Sequence, residues 1–276
     1  MAGAHFSVGS KEFTEEKILG QIAIQALENA GATVDDKTGI TGTTNVRKAL
    51  TSGQIDMYWE YTGTGFTELL HHDATEAPKD EMGLFDAVKK EDAKNGITWF
   101  ALSSANDTYG IATSSDNPAN SLSDYAKLAN SNASDASVCM ASEFRDRSDG
   151  WLGVQKAYGF KLPDSSITEV DLGIVFTQVP DQKKCNFGEV FNTDGRISAN
   201  KMKVLEDDKS FFVKYDVAMT MDSKVYQKYP AVEKILDPIA KKLTTDELAQ
   251  LNAQTDVQGI PEDKVAEQWL SDNGFS

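Results

Sequence analysis

The sequence lacks any long apolar run. No stretch of its 276 residues approaches the ~18 consecutive apolar residues that indicate a transmembrane helix. The opening, MAGAHFSVGSKEF, has neither a basic segment nor an apolar one, so we expect any targeting segment to have been removed. The chain length fits one large domain or two medium ones.

Positive charge is scarce. The chain carries 27 Lys and Arg against 43 Asp and Glu, which gives a formal net charge of -16. Binding to nucleic acid and adhesion to an anionic membrane surface both require clustered cations. Neither partner is therefore expected.

Cysteine and histidine are few. Neither Cys139 nor Cys185 belongs to a CxxC pair, and the three His lie far from them in sequence. We therefore expect no metal site. Two cysteines can form one disulfide or remain as buried free thiols, and their number alone leaves both possibilities open.

Catalytic motifs are missing as well. There is no GxSxG nucleophile elbow and no GxxxxGK[ST] phosphate loop. No His adjoins either cysteine to act as its base. We therefore expect no enzymatic activity and no cofactor.

What the sequence does contain is an alternation of strands and helices. TEEKILGQIAIQALENAG predicts a helix with Thr14 as its N-cap, and Glu15 and Glu16 suit the positive end of its dipole. IDMYWEY predicts a strand, and two helices, AVEKILDPIAKKL and TTDELAQLNAQT, are expected to close the chain. This alternation indicates α/β layers with largely parallel sheets. Ligands of such sheets bind at the carboxyl ends of strands, where SVGSK, WEYTGT and MASEFRDR fall.

Cations and aromatic residues occupy polar turns after the strands. Lys11 and Arg147 stand beside Ser and Gly, and two cations that converge with exposed amides can hold a carboxylate. Four aromatic residues also adjoin polar turns: Tyr61, Tyr109, Phe191 and Tyr215. Each alone is typical of half-buried packing. Together they suit a cage for a quaternary ammonium group, held by cation–π attraction.

Six motifs in a fixed order resemble one protein family: VGSKEFTEEKILGQ, GQIDMYWEYTGTG, NDTYGIA, SEFRDRSDGW, EVFNTDGRI and VLEDDKSFFVKYDVA. They are similar to the ProX/OpuC-type substrate-binding proteins of ABC importers for glycine betaine, choline and related quaternary ammonium osmoprotectants. The resemblance runs from about residue 6 to the C-terminus. It implies an α/β, two-lobed periplasmic-binding-protein clamshell of type II, each lobe a central mixed sheet flanked by helices. Lobe I would comprise 1–104 plus 213–276, and lobe II 105–212.

The resemblance also implies a binding site. Motif positions give an aromatic cage of Tyr61, Tyr109, Phe191 and Tyr215, and a carboxylate clamp of Lys11, Thr64 and Arg147. Phe191 stands where the betaine-binding pattern has tyrosine, which keeps a ring face but loses a hydroxyl. Choline-selective members lack the cationic clamp, so the two cations favour a betaine-type zwitterion.

The implied function is capture of glycine betaine or a related betaine and its delivery to an ABC importer permease, without enzymatic activity. Such a protein works outside the cytoplasm as a monomer, free in the periplasm or lipid-anchored. In that oxidising environment a Cys139–Cys185 disulfide is favoured. Three alternatives remain: a choline- or carnitine-binding protein of the same family, a sensor or receptor ectodomain with the same clamshell, and an enzyme that transforms a methylated amine.

Overall fold

The chain folds into two compact units, each built around a five-stranded mixed sheet. The computed structural model describes residues 1–146 and 149–275. One unit comprises Met1–Asp107 with Lys214–Ser276, and the other comprises Thr108–Val213. Both sheets contain parallel and antiparallel pairs. The α/β class with mixed central sheets is therefore confirmed.

The first unit contains five strands and eight α-helices among the described residues. The strands are β1 (His5–Lys11), β2 (Thr33–Ile40), β3 (Met57–Tyr61), β4 (Ile97–Phe100) and β10 (Val217–Asp222). The helices are α1 (Thr14–Asn29), α2 (Thr43–Thr51), α3 (Thr62–Thr64), α4 (Glu81–Asp92), α10 (Ser223–Lys228), α11 (Ala231–Ala240), α12 (Thr245–Asp256) and α13 (Glu262–Asp272). A π-helical turn, Gly65–Leu69, continues α3.

The strand order of the first sheet, β2-β1-β3-β10-β4, brings two strand ends together. β1 runs parallel to β2 and β3, whereas β10 runs antiparallel to β3 and β4. Val8 of β1 lies opposite Met57 of β3. Because β1 and β3 are adjacent and parallel, their last residues, Lys11 and Tyr61, lie at the same end of the sheet.

Helix α1 covers this sheet with the apolar face that its periodicity predicts. The buried side chains of that face are Ile18, Leu19, Ile22, Ala26 and Leu27. Burial of a large aliphatic side chain contributes about 1.5–3 kcal/mol relative to exposure. The same core includes residues of β1, β3 and β10 and of the three helices that close the chain.

The second unit has shorter elements. Its strands are β5 (Tyr109–Ser114), β6 (Val138–Met140), β7 (Ile167–Glu169), β8 (Phe187–Phe191) and β9 (Met202–Val204), in the order β7-β6-β8-β5-β9. Its helices are α5 (Leu122–Ser131), α6 (Ser142–Asp146), α7 (Trp151–Tyr158), α8 (Leu172–Gln178) and α9 (Arg196–Ala199). β5 runs antiparallel to β8 and β9, and β6 runs parallel to β7 and β8.

Three local predictions are wrong. Phe13, not Thr14, is the N-cap of α1, and the Thr14 hydroxyl donates instead to Asp256. A third helix, α13, follows the two that were expected to close the chain. The sheets are not largely parallel, because β10 and β5 each return antiparallel to both of their neighbours.

A disulfide joins Cys139 of β6 to Cys185, which lies just before β8. The two Cα atoms are 5.6 Å apart, within the usual range for a disulfide. Both cysteines are buried among Val175, Phe176 and Val179. The bond therefore fixes β6 to the segment that leads into its parallel neighbour.

Two further features concern the described residues alone. No helix in that part of the chain combines the length and the apolar character needed to cross a membrane. Nor does any group of three or more His, Cys, Asp or Glu side chains within it have an arrangement suited to a metal ion.

We expect protein made in an oxidising environment to contain no free thiol. Titration of the denatured, unreduced chain with a thiol reagent should give no reaction, and two thiols should appear after reduction. Because the bond closes a loop of 46 residues, its reduction should lower the free energy of unfolding by about 3–4 kcal/mol. Two reactive thiols before reduction would contradict this prediction.

Candidate ligand-binding site

A buried ion pair lies at the carboxyl ends of β1 and β3. Lys11 is 5% exposed, and its Nζ is 2.6 Å from Oε1 of Glu60. Burial alone would lower the pKa of the Lys11 ammonium, but the adjacent Glu60 carboxylate raises the pKa above its ordinary value. The lysine therefore remains charged inside the protein.

Further hydrogen bonds hold this ion pair. The Tyr58 hydroxyl donates to Glu60 at 2.9 Å, and the Tyr61 backbone N–H donates to Glu60 at 2.8 Å. Glu16 accepts a hydrogen bond from the Lys11 backbone N–H at 2.9 Å. Burial raises the pKa of Glu16 to about 8, so this carboxyl is mostly protonated at neutral pH. The end of β1 thus lies in a buried polar network.

Tyr61 lies between a cation and a carboxylate. The Lys11 Nζ is 4.9 Å from the centroid of its ring. Its hydroxyl donates to Oε1 of Glu15 at 2.8 Å, and Tyr61 is 4% exposed. Burial and Glu15 raise the pKa of Tyr61 well above its ordinary value, so the phenol stays neutral. Phe13 stacks beside the ring, with the centroids 6.3 Å apart and the planes at 21°.

The turn after β3 is shaped by the close approach of Tyr215. A Cβ atom on Gly63 would lie 2.6 Å from the Lys214 carbonyl oxygen and 2.9 Å from ring carbons of Tyr215. These distances exclude a side chain at position 63. They explain why a glycine follows the aromatic strand β3. Thr64, next in the chain, is 8% exposed. The Tyr215 backbone N–H donates to Asn106 at 2.8 Å.

In the second unit, strand register brings two of the predicted cage rings together. Tyr109 of β5 lies directly opposite Phe191 of β8, and their ring centroids are 4.9 Å apart with the planes at 31°. Phe144 of α6 lies on Tyr109 at the same centroid distance of 4.9 Å. Phe191 is only partly buried, so this pair keeps an accessible ring surface.

The predicted site residues thus form distinct groups in the structure. Lys11 contacts Tyr61, Tyr215 packs on the glycine that precedes Thr64, and Tyr109 pairs with Phe191. Arg147 lies outside the described residues. Sequence reasoning missed Phe13, Glu15, Glu60 and Phe144, although all four stand inside the motifs that carry the resemblance. Glu15 lies in the first turn of α1, as the helix dipole favours, and it is also buried against Tyr61.

Comparison with known proteins identifies the family. Residues 4–272 match the family model described as the substrate-binding domain of ABC-type glycine betaine transport systems. The chain belongs to this family. It is therefore a substrate-binding protein that works with an ABC importer permease and not an enzyme. Proteins of this family function outside the cytoplasm.

Several relatives of this substrate-binding protein align along its whole length. The glycine-betaine-binding protein of Pseudomonas aeruginosa is 32% identical, with 96% of this chain and 87% of that protein covered. The glycine betaine-binding protein YehZ of Escherichia coli is 31% identical, with 100% and 92% covered. The ergothioneine transport permease/ergothioneine-binding protein EgtU of Helicobacter pylori is 30% identical, with 97% of this chain and 47% of that protein covered.

A solved structure supports the same assignment. Apo YehZ from Escherichia coli superposes with a TM-score of 0.84 at 31% identity, and the match covers 100% of both chains. The expected periplasmic-binding-protein fold is thereby confirmed, as is the predicted family.

Asp216 is a buried acid beside the ligand-site candidate Tyr215. Its side chain is fully buried, and neither carboxyl oxygen has a hydrogen-bond partner among the described residues. Burial and the nearby Glu81 carboxylate raise its pKa from 3.8 to about 7. The folded protein therefore holds this proton more tightly than the unfolded chain does.

We expect Asp216 to make the free energy of unfolding depend on pH. Because the pKa of Asp216 is raised in the folded state, the stabilisation that comes from its proton is fully present below about pH 4. This stabilisation is lost as the pH rises to about 7. When the pH is raised from 5 to 8, the free energy of unfolding should fall in both proteins. The fall should be roughly 2–3 kcal/mol smaller in the Asp216→Asn variant than in the wild type. Urea denaturation at the two pH values measures this difference.

The control is Asp86→Asn, which makes the same chemical change at an exposed position of α4. Its loss of stability over this pH interval should equal that of the wild type. An Asp216→Asn variant with the wild-type pH dependence would show that Asp216 does not retain its proton on folding.

Proposed function

We propose that the protein binds a small zwitterion with a quaternary ammonium group, glycine betaine or a close analogue, and delivers it to its permease. The ammonium end is assigned to the cage of Tyr61, Tyr109, Phe191 and Tyr215, and the carboxylate end to Lys11, Thr64 and Arg147. The protein would act free in the periplasm or anchored by lipid at the outer face of the membrane.

The observation that carries this proposal is the paired Tyr109 and Phe191 rings at the ends of neighbouring strands. A trimethylammonium group has no N–H to donate, so it is recognised by ring faces through cation–π attraction. Two rings with centroids 4.9 Å apart, both on partly exposed residues, offer such a surface. The names of the Pseudomonas and Escherichia relatives, both glycine-betaine-binding, agree with this ligand class.

The structure qualifies the part played by Lys11. Its ammonium is already paired with Glu60 at 2.6 Å, so a ligand carboxylate would have to share that cation with a buried acid. Arg147 therefore carries the larger share of carboxylate recognition in this proposal. Lys11 contributes a weaker attraction and also fixes the position of the Tyr61 ring.

A calorimetric titration of wild-type protein with glycine betaine, proline betaine, carnitine, choline and ergothioneine tests the ligand class. Glycine betaine or proline betaine should give the lowest Kd. If choline binds as tightly as glycine betaine, the carboxylate clamp is wrong. If ergothioneine alone binds, the betaine assignment fails and the function resembles that named for the Helicobacter relative.

We expect Arg147→Ala to separate the two ends of the ligand. Loss of one partner of a desolvated charge pair costs on the order of 3–5 kcal/mol, so the Kd for glycine betaine should rise by about a hundredfold or more. Choline lacks a carboxylate and should lose little. The measurement is the ratio of the two Kd values in the variant and in the wild type.

Arg145→Ala is the matched control for this experiment. Arg145 lies two residues earlier and forms ion pairs with Glu169 and Asp164, so its loss should leave the ratio unchanged. An unchanged ratio in Arg147→Ala would remove Arg147 from the clamp.

We expect Tyr109→Ala to weaken glycine betaine and choline alike, because both carry the trimethylammonium group that the cage recognises. A cation–π contact contributes about 0.5–2 kcal/mol, which corresponds to a rise in Kd of roughly 2- to 30-fold. Calorimetry with both ligands measures the change. A variant that keeps the wild-type affinity for both would show that Tyr109 lies outside the cage.

A further inference from the structure

One buried hydrogen bond of the first unit has no role in the function described so far. The Tyr61 hydroxyl donates to Oε1 of Glu15 at 2.8 Å, and both side chains are 4% exposed. The other carboxylate oxygen of Glu15 accepts a hydrogen bond from Nδ2 of Asn252 on α12, also at 2.8 Å. Glu15 is therefore fixed from two sides, with one oxygen directed at the phenol.

The burial of Glu15 is not required by helix α1. The helix dipole favours an acid in the first turn whether or not the acid is exposed, yet Glu15 is buried at a desolvation cost. The preceding N-cap is Phe13, which provides no side-chain cap, although polar residues are strongly preferred there. Such departures from local rules concentrate at functional sites.

The hydrogen bond changes the electrostatics of the Tyr61 ring. A phenol that donates to a carboxylate gains electron density on its oxygen and its ring, because charge-assisted hydrogen bonds polarise the donor. A more negative ring face attracts a cation more strongly. The Tyr61 ring already has a cation near it, since the Lys11 Nζ lies 4.9 Å from the centroid.

We propose that Glu15 determines specificity through Tyr61: it favours a ligand whose trimethyl group is positively charged over an uncharged group of the same shape. This inference rests on the proposed function, in which Tyr61 contacts the ammonium end. Glu15 is a positioning residue in this scheme, because it acts on the ring and not on the ligand.

The test uses glycine betaine and tert-butylacetate, in which a carbon atom replaces the ammonium nitrogen. Calorimetry gives the ratio of their Kd values for the wild type and for Glu15→Gln. Gln keeps an oxygen that accepts from the phenol but removes the negative charge. The preference for glycine betaine should fall by roughly three- to tenfold, whereas a purely structural role would weaken both ligands equally and leave the ratio unchanged.

Two further variants complete the experiment. Glu28→Gln makes the same change at an exposed position of α1 and should keep the wild-type ratio. Tyr61→Phe keeps the ring but removes the hydroxyl, so it should lower the preference as Glu15→Gln does, and it decides the question if Glu15→Gln fails to fold.

The outcomes distinguish this inference from the proposed function. If the wild type prefers glycine betaine but Tyr61→Phe and a folded Glu15→Gln retain that preference, the role of Glu15 is overturned and the proposed function stands. If the wild type shows no preference for the charged ligand, Tyr61 does not recognise an ammonium group, and both proposals fall.

Discussion

The buried ion pair between Lys11 and Glu60 is the interaction on which the site in the first unit depends. An ammonium group enters a protein interior at a large desolvation cost unless it is closely paired, and here the two charges are 2.6 Å apart. With the hydrogen bonds from Tyr58 and from the Tyr61 backbone, both carboxylate oxygens of Glu60 have a partner. Removal of either charge would leave the other uncompensated, at a cost of about 3–5 kcal/mol. The ends of β1 and β3 are thus held by charge as well as by packing.

Periodicity predicts the elements that have a buried side. The apolar face of α1 and the strand β3 follow from the spacing of their large side chains, all of which the fold buries. β2 was not predicted, because it lies at the edge of its sheet and has no fully buried residue. α13 was predictable, since Val265, Ala266, Trp269 and Leu270 recur at helical spacing. The direction of the strands was not predictable. The alternation of strands and helices does not reveal that β10 runs antiparallel to β3, or β5 to β8.

The site itself was only partly accessible to sequence reasoning. Lys11 and Tyr61 could be placed together because both end neighbouring parallel strands. Their acidic partners could not be placed. In a chain with 43 Asp and Glu, nothing in the residue types marks Glu15, Glu16 and Glu60 as buried. Burial of an acid depends on partners distant in sequence, such as Asn252 for Glu15, and such partners appear only when the chain is folded.

The contact at Gly63 limits how this protein can evolve or be redesigned. Because no side chain fits between the backbone there and the Tyr215 ring, that part of the first unit cannot be reshaped by single substitutions without displacing the ring or the Lys214 carbonyl. Phe191 is under no such constraint, since its ring is partly exposed and ends a strand. Under the proposed function, variation in ligand size among descendants of this sequence should therefore accumulate at Phe191, while Gly63 stays fixed.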